Sequence, residues 1–433
     1  MKKVKLLSLM LFVTSALTLS ACSLFDDSDI AIKNSYNPNV TEPEEDPNAL
    51  VVSDDIKGHR VDAVPDAYCF KNIGYANNGV IPNTYKEDGG INKNGFNPNG
   101  GKDYEGDATS NNYDLYVPDS TPRNDKHVVI LFIHGGAWVS GFKTDVNPYV
   151  HEFANKGYVT ATIKYTLLSR EMDDPTLSIF RDLDEIDACL SSIKNVLSSS
   201  ALGFDTSKTE LVIGGASSGS HLAMLYTYSR GQHCPFENIK FVVNAVGPTD
   251  IKEGAWRSFK NEENGLNSGL GKNEIDPANL NPLSIAGEKD AEGNPVYWNP
   301  YQTLRIANGM CGMPNTKEEI ESCTSDKINV IDNAISQSMT DVGKGEDLLS
   351  VTYWINQSAV KYKMIAAYAG KDTIVGVNQF ANLETALLDN SYVKDTDYKY
   401  TYFKMCGHAD ISKEKDETAY TEFVNNIDAW CKA

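Results

Sequence analysis

The most reactive pattern in the sequence is a serine held between glycines. The segment GASSG at residues 215–219 fits G-x-S-x-G, and among its serines only Ser217 has a glycine two positions away on both sides. An apolar run at 210–213 precedes the segment, and a predicted helix over 220–230 follows it. Such a strand-to-helix turn is so tight that neighbouring side chains would clash, and it exposes the central hydroxyl. The sequence therefore predicts Ser217 as a nucleophile.

A serine hydroxyl needs a neighbouring base before it can attack, and the chain offers few histidines for that role. After Ser217 the sequence contains only His221, His233 and His408. The first two lie on or just past the helix that follows the serine, whereas His408 comes directly after a predicted strand over 400–405. A loop at that place could carry an imidazole over the end of a sheet. We therefore predict His408 as the base.

The third group expected in such a site is a carboxylate that orients the imidazole. Asp372 follows the apolar run 364–369, which is predicted to be a buried strand. Other aspartates upstream of the histidine do not directly follow a convincing buried strand: Asp341, Asp347, Asp389, Asp395 and Asp397. Asp372 is therefore the predicted acid, and the three groups follow one another in the order serine, acid, histidine.

Glycines also follow a second predicted strand, residues 127–133, in the segment HGGAW at 134–138. Main-chain N–H groups that are free of bulky side chains can point at an oxyanion that develops on a substrate. We predict that Gly135 and Gly136 supply such donors, and that Ser218, the residue after the nucleophile, supplies another. A plain tight turn would leave the histidine and the tryptophan of this segment unexplained.

The predicted elements alternate between strands and helices. Residues 112–117 predict a strand with one wet face, 127–133 a strand buried on both faces, and 158–165 a third strand. Residues 178–197 have the apolar spacing of a helix. This alternation predicts an α/β fold in which a mostly parallel central sheet carries helices on both faces. The reactive residues would then meet at the carboxyl ends of the strands.

The region from about residue 112 to the C-terminus resembles α/β-hydrolases of the esterase and lipase type, near the hormone-sensitive-lipase-like and the feruloyl or acetyl esterase groups. The motifs that carry the resemblance are HGGAW at 134–138, GASSGSHLA at 215–223, GKD at 370–372 and GH at 407–408. The resemblance implies a serine carboxylesterase that works through an acyl-enzyme and needs no metal or other cofactor. Two alternatives stay open: a serine peptidase or arylformamidase on the same fold, and a catalytically inactive surface binding protein.

The charge of the chain narrows the choice of partner. The 433 residues have a formal net charge of −20. This charge argues against nucleic acid, whose phosphates bind through lysine and arginine, and it disfavours acidic substrates. We expect a small-molecule or polysaccharide ester as the substrate, such as an acetylated or feruloylated sugar.

The first residues resemble a bacterial lipoprotein signal. A basic start leads into the apolar run 6–19, which has the length of a signal-peptide core, and residues 19–22 read Leu-Ser-Ala-Cys. The resemblance implies that residues 1–21 are removed and that Cys22 carries the lipid. The protein would then be extracytoplasmic and lipid-anchored to a bacterial membrane, at the outer membrane, its periplasmic face or the cell surface. A plain secretory signal with a chance cysteine is the alternative.

Composition divides the rest of the chain. Residues 22–66 are rich in Asp, Asn, Pro and Ser, and they predict a disordered tether. Residues 67–433 form the predicted catalytic domain, with an insertion over about 251–350 that could cap the site. Eight cysteines less Cys22 leave seven, and we expect a disulfide between Cys311 and Cys323 in the insertion.

Overall fold

A ten-stranded sheet forms the centre of the protein. The computed structural model describes residues 48–82, 103–138, 140–168, 178–250, 284–289, 295–297, 349–372, 374–375 and 377–433. Within these residues the strands are β1 (Leu50–Ser53), β2 (Ile56–Val61), β3 (Val64–Gly74), β4 (Val80–Ile81), β5 (Tyr104–Glu105), β6 (Asn112–Pro118), β7 (His127–Ile133), β8 (Val159–Lys164), β9 (Thr209–Ala216), β10 (Asn238–Ala245), β11 (Ser284–Lys289), β12 (Pro295–Tyr297), β13 (Lys363–Ala369) and β14 (Tyr398–Phe403). The α-helices are α1 (Asn147–Ala154), α2 (Ile179–Leu197), α3 (Ser218–Arg230), α4 (Val351–Gln357), α5 (Val377–Asp389) and α6 (Glu417–Lys432).

The sheet is mostly parallel, as the alternation of elements predicts. Its strand order is β1-β2-β3-β6-β8-β7-β9-β10-β13-β14. The strands from β8 to β14 in this order are parallel, whereas β1, β2, β3 and β6 are antiparallel to their neighbours. The chain places β8 on one side of β7 and β9 on the other, so the direction of winding reverses at β7. Ligands of open α/β sheets bind at such a switch point, outside the carboxyl ends of the strands.

Helices cover both faces of the sheet because its central strands are apolar on both. On β7, Val129 and Leu131 belong to a hydrophobic cluster that includes residues of α2, α3, α4 and α5. Their neighbours Val128 and Ile130 belong to a second cluster, with residues of α1 and α6. The prediction that this strand is buried on both faces is therefore confirmed.

Strand β6 differs from the predicted strand with one wet face, because all seven of its residues are buried. The polar side chains of Asn112 and Asp114 face a buried lysine instead of water. The Lys143 Nζ lies 2.6 Å from Asp114 Oδ1, 2.5 Å from Asn112 Oδ1 and 2.7 Å from Asn72 Oδ1. Lys143 comes shortly after the HGGAW segment, so this buried ionic site ties the end of that loop to β3 and β6.

Replacing Asp114 by alanine should lower the free energy of unfolding by about 3 to 5 kcal/mol, because the Lys143 charge stays buried without its partner. The two side chains are only 5% and 2% exposed. Asp119→Ala is the matched control: its ion pair with Arg60 joins side chains that are 55% and 38% exposed, so its loss should cost less than about 1 kcal/mol. Urea denaturation of the three proteins measures both effects, and equal losses would contradict the prediction.

The tether predicted over residues 22–66 is wrong in its C-terminal part, where strands begin at Leu50. Strands β1 and β2 and the start of β3 belong to the central sheet. Leu50, Val52 and Ile56 pack against the hydrophobic cluster on the α2 face of the sheet. The residues of β1 alternate between half-buried and exposed. In the sequence, this two-residue alternation is hard to recognise because many polar residues surround it. The domain predicted to begin at residue 67 therefore includes these strands.

Other predictions fall outside the described residues. They are the signal peptide at 1–21, the lipidated Cys22 and the disulfide between Cys311 and Cys323. Of the insertion at 251–350, the structure describes the two-stranded sheet of β11 and β12 and its last two residues. The cysteines within the described residues are free: Cys69, Cys189, Cys234, Cys406 and Cys431. None of the described helices is long and apolar enough to cross a bilayer.

Candidate active site

Ser217 lies on the sharp turn between β9 and α3. Its backbone has φ 52° and ψ −123°, a strained conformation for a residue with a side chain, and such conformations cluster at functional sites. The Ser217 N–H donates to the Ala245 carbonyl at 2.9 Å, and the Ser217 carbonyl accepts from the His221 N–H at 3.1 Å. These two hydrogen bonds hold the turn. The predicted order of strand, turn and helix around this serine is confirmed.

The two glycines that flank the turn are required by close backbone contacts. A Cβ on Gly215 would lie 2.4 Å from the carbonyl carbon of Gly219. A Cβ on Gly219 would lie 2.1 Å from the carbonyl oxygen of Ile133, the last residue of β7. Because real Cβ atoms do not approach backbone so closely, only glycine fits at both positions. The turn therefore needs the G-x-S-x-G spacing for the reason the sequence suggests.

The side chains of Ser217, His408 and Asp372 meet in one hydrogen-bonded chain. The His408 Nε2 lies 2.7 Å from Ser217 Oγ, and the His408 Nδ1 lies 2.7 Å from Asp372 Oδ2. The Asp372 side chain is fully buried, and that of His408 is 11% exposed. These partners fit a neutral imidazole that donates from Nδ1 to the carboxylate and accepts the serine proton at Nε2. The structure therefore brings together the three residues that the sequence singles out.

The acid and the base reach the site from two neighbouring parallel strands, β13 and β14. Their pairing continues past the strand ends, where the Gly370 N–H donates to the Phe403 carbonyl and the Lys371 N–H donates to the Cys406 carbonyl, each at 2.9 Å. The Asp372 Oδ1 accepts the backbone N–H groups of residues 374 and 375, each at 2.8 Å. Because one carboxylate oxygen is held in this way, the other is directed at the imidazole.

The predicted oxyanion donors lie against the nucleophile turn. A Cβ on Gly135 would come within 2.8 Å of the Ala216 carbonyl oxygen and 3.0 Å of Ser217 Cβ. On the other side of the nucleophile, Ser218 is the first residue of α3. An N–H at that position has no acceptor within its own helix, and the helix N-terminus favours negative charge. Gly135 and Ser218 therefore flank Ser217, and Gly136 is the next residue of the loop.

The loop after β7 has an unusual backbone. Three consecutive residues have positive φ: Gly136 at 118°, Ala137 at 52° and Trp138 at 64°. The Gly136 carbonyl accepts both the backbone N–H and the hydroxyl of Ser140, each at 2.9 Å, and a Cβ on Gly136 would lie 2.1 Å from the Ser140 carbonyl oxygen. Glycine is therefore required at position 136. The left-handed conformations of Ala137 and Trp138 carry no sequence signal.

Comparison with known proteins agrees with this geometry. The BD-FAE family, a family of α/β-hydrolase esterases, matches residues 113–284, a segment that contains both the HGGAW loop and the nucleophile turn. The central sheet is mostly parallel, and the three hydrogen-bonded side chains follow one another along the chain in the order serine, aspartate, histidine. The chain has the α/β-hydrolase fold. No curated protein matches it.

Solved structures similar to this α/β-hydrolase include several bacterial proteins. Esterase B from Lactobacillus Rhamnosis is 17% identical over 74% of this chain and 81% of its own, with a TM-score of 0.43. Thermogutta terrifontis esterase 2, phosphonylated by sarin, is 16% identical over 74% and 89%, with a TM-score of 0.44. A bifunctional GH43-CE protein of Bacteroides eggerthii is 15% identical over 74% and 33%, with a TM-score of 0.45.

His221 is a structural residue. Its position agrees with the prediction that His408, and not His221, is the base. It is fully buried on α3, and its Nε2 lies 2.7 Å from the Leu349 carbonyl oxygen. Burial lowers the pKa of His221 from 6.5 to about 4, against a smaller opposing effect of that hydrogen bond. The imidazole is therefore neutral in the folded protein at pH values where the unfolded chain already binds a proton.

This lowered pKa predicts that His221 makes the fold less stable in acid. Between pH 6.5 and 4 the unfolded state binds the extra proton, so the free energy of unfolding falls with falling pH by up to about 3 kcal/mol from this residue alone. In His221→Gln, which keeps a donor for Leu349, that contribution is absent. The stability difference between wild type and variant should therefore shift by about 3 kcal/mol in the variant's favour from pH 7.5 to 4.

Urea denaturation at several pH values between 7.5 and 4 measures this shift. Taking the difference between two proteins at each pH removes the effects of other buried groups, such as Asp182, whose pKa is raised by burial and which acts in the opposite direction. Ser198→Ala, at an exposed residue that does not titrate in this range, is the control and should leave the difference constant. A His221→Gln difference that is equally constant would contradict the prediction.

Sequence reasoning missed Tyr165, which packs against His134, the first residue of the HGGAW segment. Its ring stacks on that of His134 with centroids 4.4 Å apart and planes 15° apart. Its hydroxyl lies 3.4 Å from the His134 carbonyl oxygen. The only sequence signal is its place directly after β8, the parallel neighbour of β7, which puts it at the same edge of the sheet.

The site contains its own nucleophile, base and acid, so its chemistry can be written with side chains of this chain. Within the described ranges, no three His, Cys, Asp or Glu side chains are grouped so that they could hold a metal ion.

Proposed function

We propose that this α/β-hydrolase is a serine carboxylesterase that hydrolyses small or carbohydrate-linked carboxylic esters through an acyl-enzyme. The observation that carries the proposal is the position of His408, with Nε2 at 2.7 Å from Ser217 Oγ and Nδ1 at 2.7 Å from Asp372 Oδ2. The BD-FAE match over residues 113–284 supports ester chemistry independently.

In the first step, Ser217 Oγ attacks the carbonyl carbon of the ester while His408 Nε2 takes the serine proton. The new C–O bond moves an electron pair onto the carbonyl oxygen, and Asp372 stabilises the imidazolium. When the tetrahedral intermediate collapses, the bond to the alcohol breaks and the alcohol leaves with the proton from His408. Ser217 is then acylated.

In the second step, water attacks the acyl-enzyme while His408 takes one of its protons. The second tetrahedral intermediate releases the carboxylic acid, and the proton returns to Ser217 Oγ. Because His408 accepts a proton at the start of both steps, an imidazole that is already protonated could perform neither.

The negative oxygen of both intermediates would lie between the Gly135–Gly136 loop and the N-terminus of α3. Its donors would be the N–H groups of Gly135, Gly136 and Ser218, which are fixed before the reaction starts. A donor of this kind typically contributes about 3 to 4 kcal/mol to the transition state. The close contact of Gly135 with the nucleophile turn supports this arrangement.

We further propose that the enzyme is extracytoplasmic and anchored to a bacterial membrane through a lipid on Cys22. The support is the Leu-Ser-Ala-Cys motif after an apolar run. A single acyl chain gives only marginal membrane binding, so a lipoprotein with several chains would be held stably. Metabolic labelling with a palmitate analogue should mark the wild type and not Cys22→Ser. Labelling of both proteins, or of neither, would contradict the anchor.

A panel of substrates tests the enzymatic function. The wild type should hydrolyse p-nitrophenyl esters and acetylated or feruloylated sugars, and a fluorophosphonate probe should label Ser217. Faster cleavage of amides or formamides than of the matched esters would favour a peptidase or arylformamidase. A protein that neither turns over any ester nor reacts with the probe would be an inactive binding protein, and the proposal would be wrong.

A further inference from the structure

The turn that carries His408 is closed by a side chain outside the triad. The Gly407 N–H donates a hydrogen bond to Oδ1 of Asp410. The other carboxylate oxygen, Oδ2, lies 3.6 Å from Lys415 Nζ, where the two side chains are 38% and 57% exposed. An exposed ion pair of this length contributes little. The contact through which Asp410 acts on the fold is therefore the one with Gly407.

This contact lies at a sensitive place in the chain. On the N-terminal side, the Cys406 carbonyl is held by the Lys371 N–H at 2.9 Å, the last bond of the ladder between β13 and β14. The next residue is Gly407, which has the widest backbone freedom of any residue type. The Asp410 oxygen fixes the N–H of that glycine, directly before His408. It therefore limits the freedom of the backbone on which the imidazole is mounted.

We propose that Asp410 is a positioning residue for His408: its Oδ1 holds the turn so that the imidazole stays between Ser217 and Asp372. The inference rests on the proposed esterase function. The role is geometric, because Gly407 needs an oxygen acceptor and not a negative charge. A misplacement of a reacting group by about 1 Å can cost about 100-fold in rate.

Two substitutions at this position separate geometry from charge. Asp410→Asn keeps an oxygen acceptor and removes the charge, whereas Asp410→Ala removes both. On p-nitrophenyl acetate we expect Asp410→Ala to lower kcat by about 10- to 100-fold with little change in KM. Asp410→Asn should stay close to wild type, and the acid limb of its pH–rate profile should not move.

The control is Asp416→Ala. Asp416 also accepts a backbone N–H through its side chain, from Ala419 at 3.2 Å, but there it caps α6. Its loss should lower the melting temperature, as expected for a lost cap, and leave kcat unchanged. A drop in kcat in Asp410→Ala that also appears in Asp416→Ala would be a general stability effect and would overturn the inference.

The rate of labelling by a fluorophosphonate distinguishes the possible failures, because this reaction needs Ser217 and His408 but no knowledge of the natural ester. Slower labelling of Asp410→Ala than of wild type is expected. Equal labelling and equal kcat would overturn the positioning role while leaving the esterase intact. An Asp410→Asn variant as impaired as Asp410→Ala, with a displaced acid limb, would show an electrostatic role instead. If the wild type itself is not labelled, the proposed function fails.

Discussion

Replacing Ser217 by alanine should lower kcat for ester hydrolysis by about 10⁵- to 10⁶-fold. The variant loses the atom that forms the acyl-enzyme, while the strained turn around it is kept by the hydrogen bonds of its backbone and by the flanking glycines. Alanine has the same backbone preferences as serine to a first approximation, so the fold should be unaffected. The measurement is kcat on p-nitrophenyl acetate, together with fluorophosphonate labelling and circular dichroism.

The control for this experiment is Ser198→Ala, which makes the same chemical change at an exposed position at the end of α2. It should retain full activity and full labelling. Near-normal rates in Ser217→Ala would reject the serine as the nucleophile. A loss of activity that is accompanied by loss of the circular dichroism spectrum would contradict the expectation that the turn survives without the hydroxyl.

Replacing Asp372 by asparagine should lower kcat by about 10⁴-fold, the loss typical of a triad whose imidazole is held in the wrong tautomer. The structure gives a reason for that tautomer. Oδ1 of residue 372 accepts two backbone N–H groups, each at 2.8 Å, so an asparagine must place its oxygen there. Its NH₂ group then faces His408 Nδ1, which has to become the acceptor. The ring proton moves to Nε2, where it opposes the hydroxyl of Ser217.

The same assay, run across pH, measures this effect in Asp372→Asn. The matched control is Asp389→Asn, at an exposed aspartate on the last residue of α5, which should be fully active. Because the backbone hydrogen bonds of residue 372 can still form, thermal stability should change far less than activity. An Asp372→Asn enzyme that kept more than about a tenth of the wild-type kcat would show that the carboxylate does not set the tautomer.

The reactive residues could be predicted because each is marked by a short local pattern at the end of a strand. Ser217 is singled out by its two flanking glycines, and the structure leaves no room for a Cβ at either of them. Asp372 is singled out by its place after an apolar run. His408 follows from the order of groups along the chain. The proximity of the three side chains is confirmed, whereas the lipid anchor at Cys22 stays a prediction.

Contacts between distant polar residues could not be predicted in this way. The alternation in β6 looks the same whether Asp114 faces water or the buried Lys143, and the lysine is distant from it in sequence. The strands that begin at Leu50 are hidden for a similar reason, since few apolar residues suffice when a large sheet is already present to pack against. Asp410 is one of many acidic loop residues until its bond to Gly407 is seen.

Gly219 packs so tightly on the carbonyl of Ile133 that the nucleophile turn and the end of β7 form one body. The attacking oxygen and the amides beside it must therefore shift together. The His408 imidazole is carried by a different segment, the loop after β14, which is the last strand of the sheet among the residues that the structure describes. Heat or denaturant that unfolds this edge of the sheet should therefore separate His408 from Ser217 while the nucleophile turn is still packed on β7. Activity should then be lost before the core of the sheet unfolds.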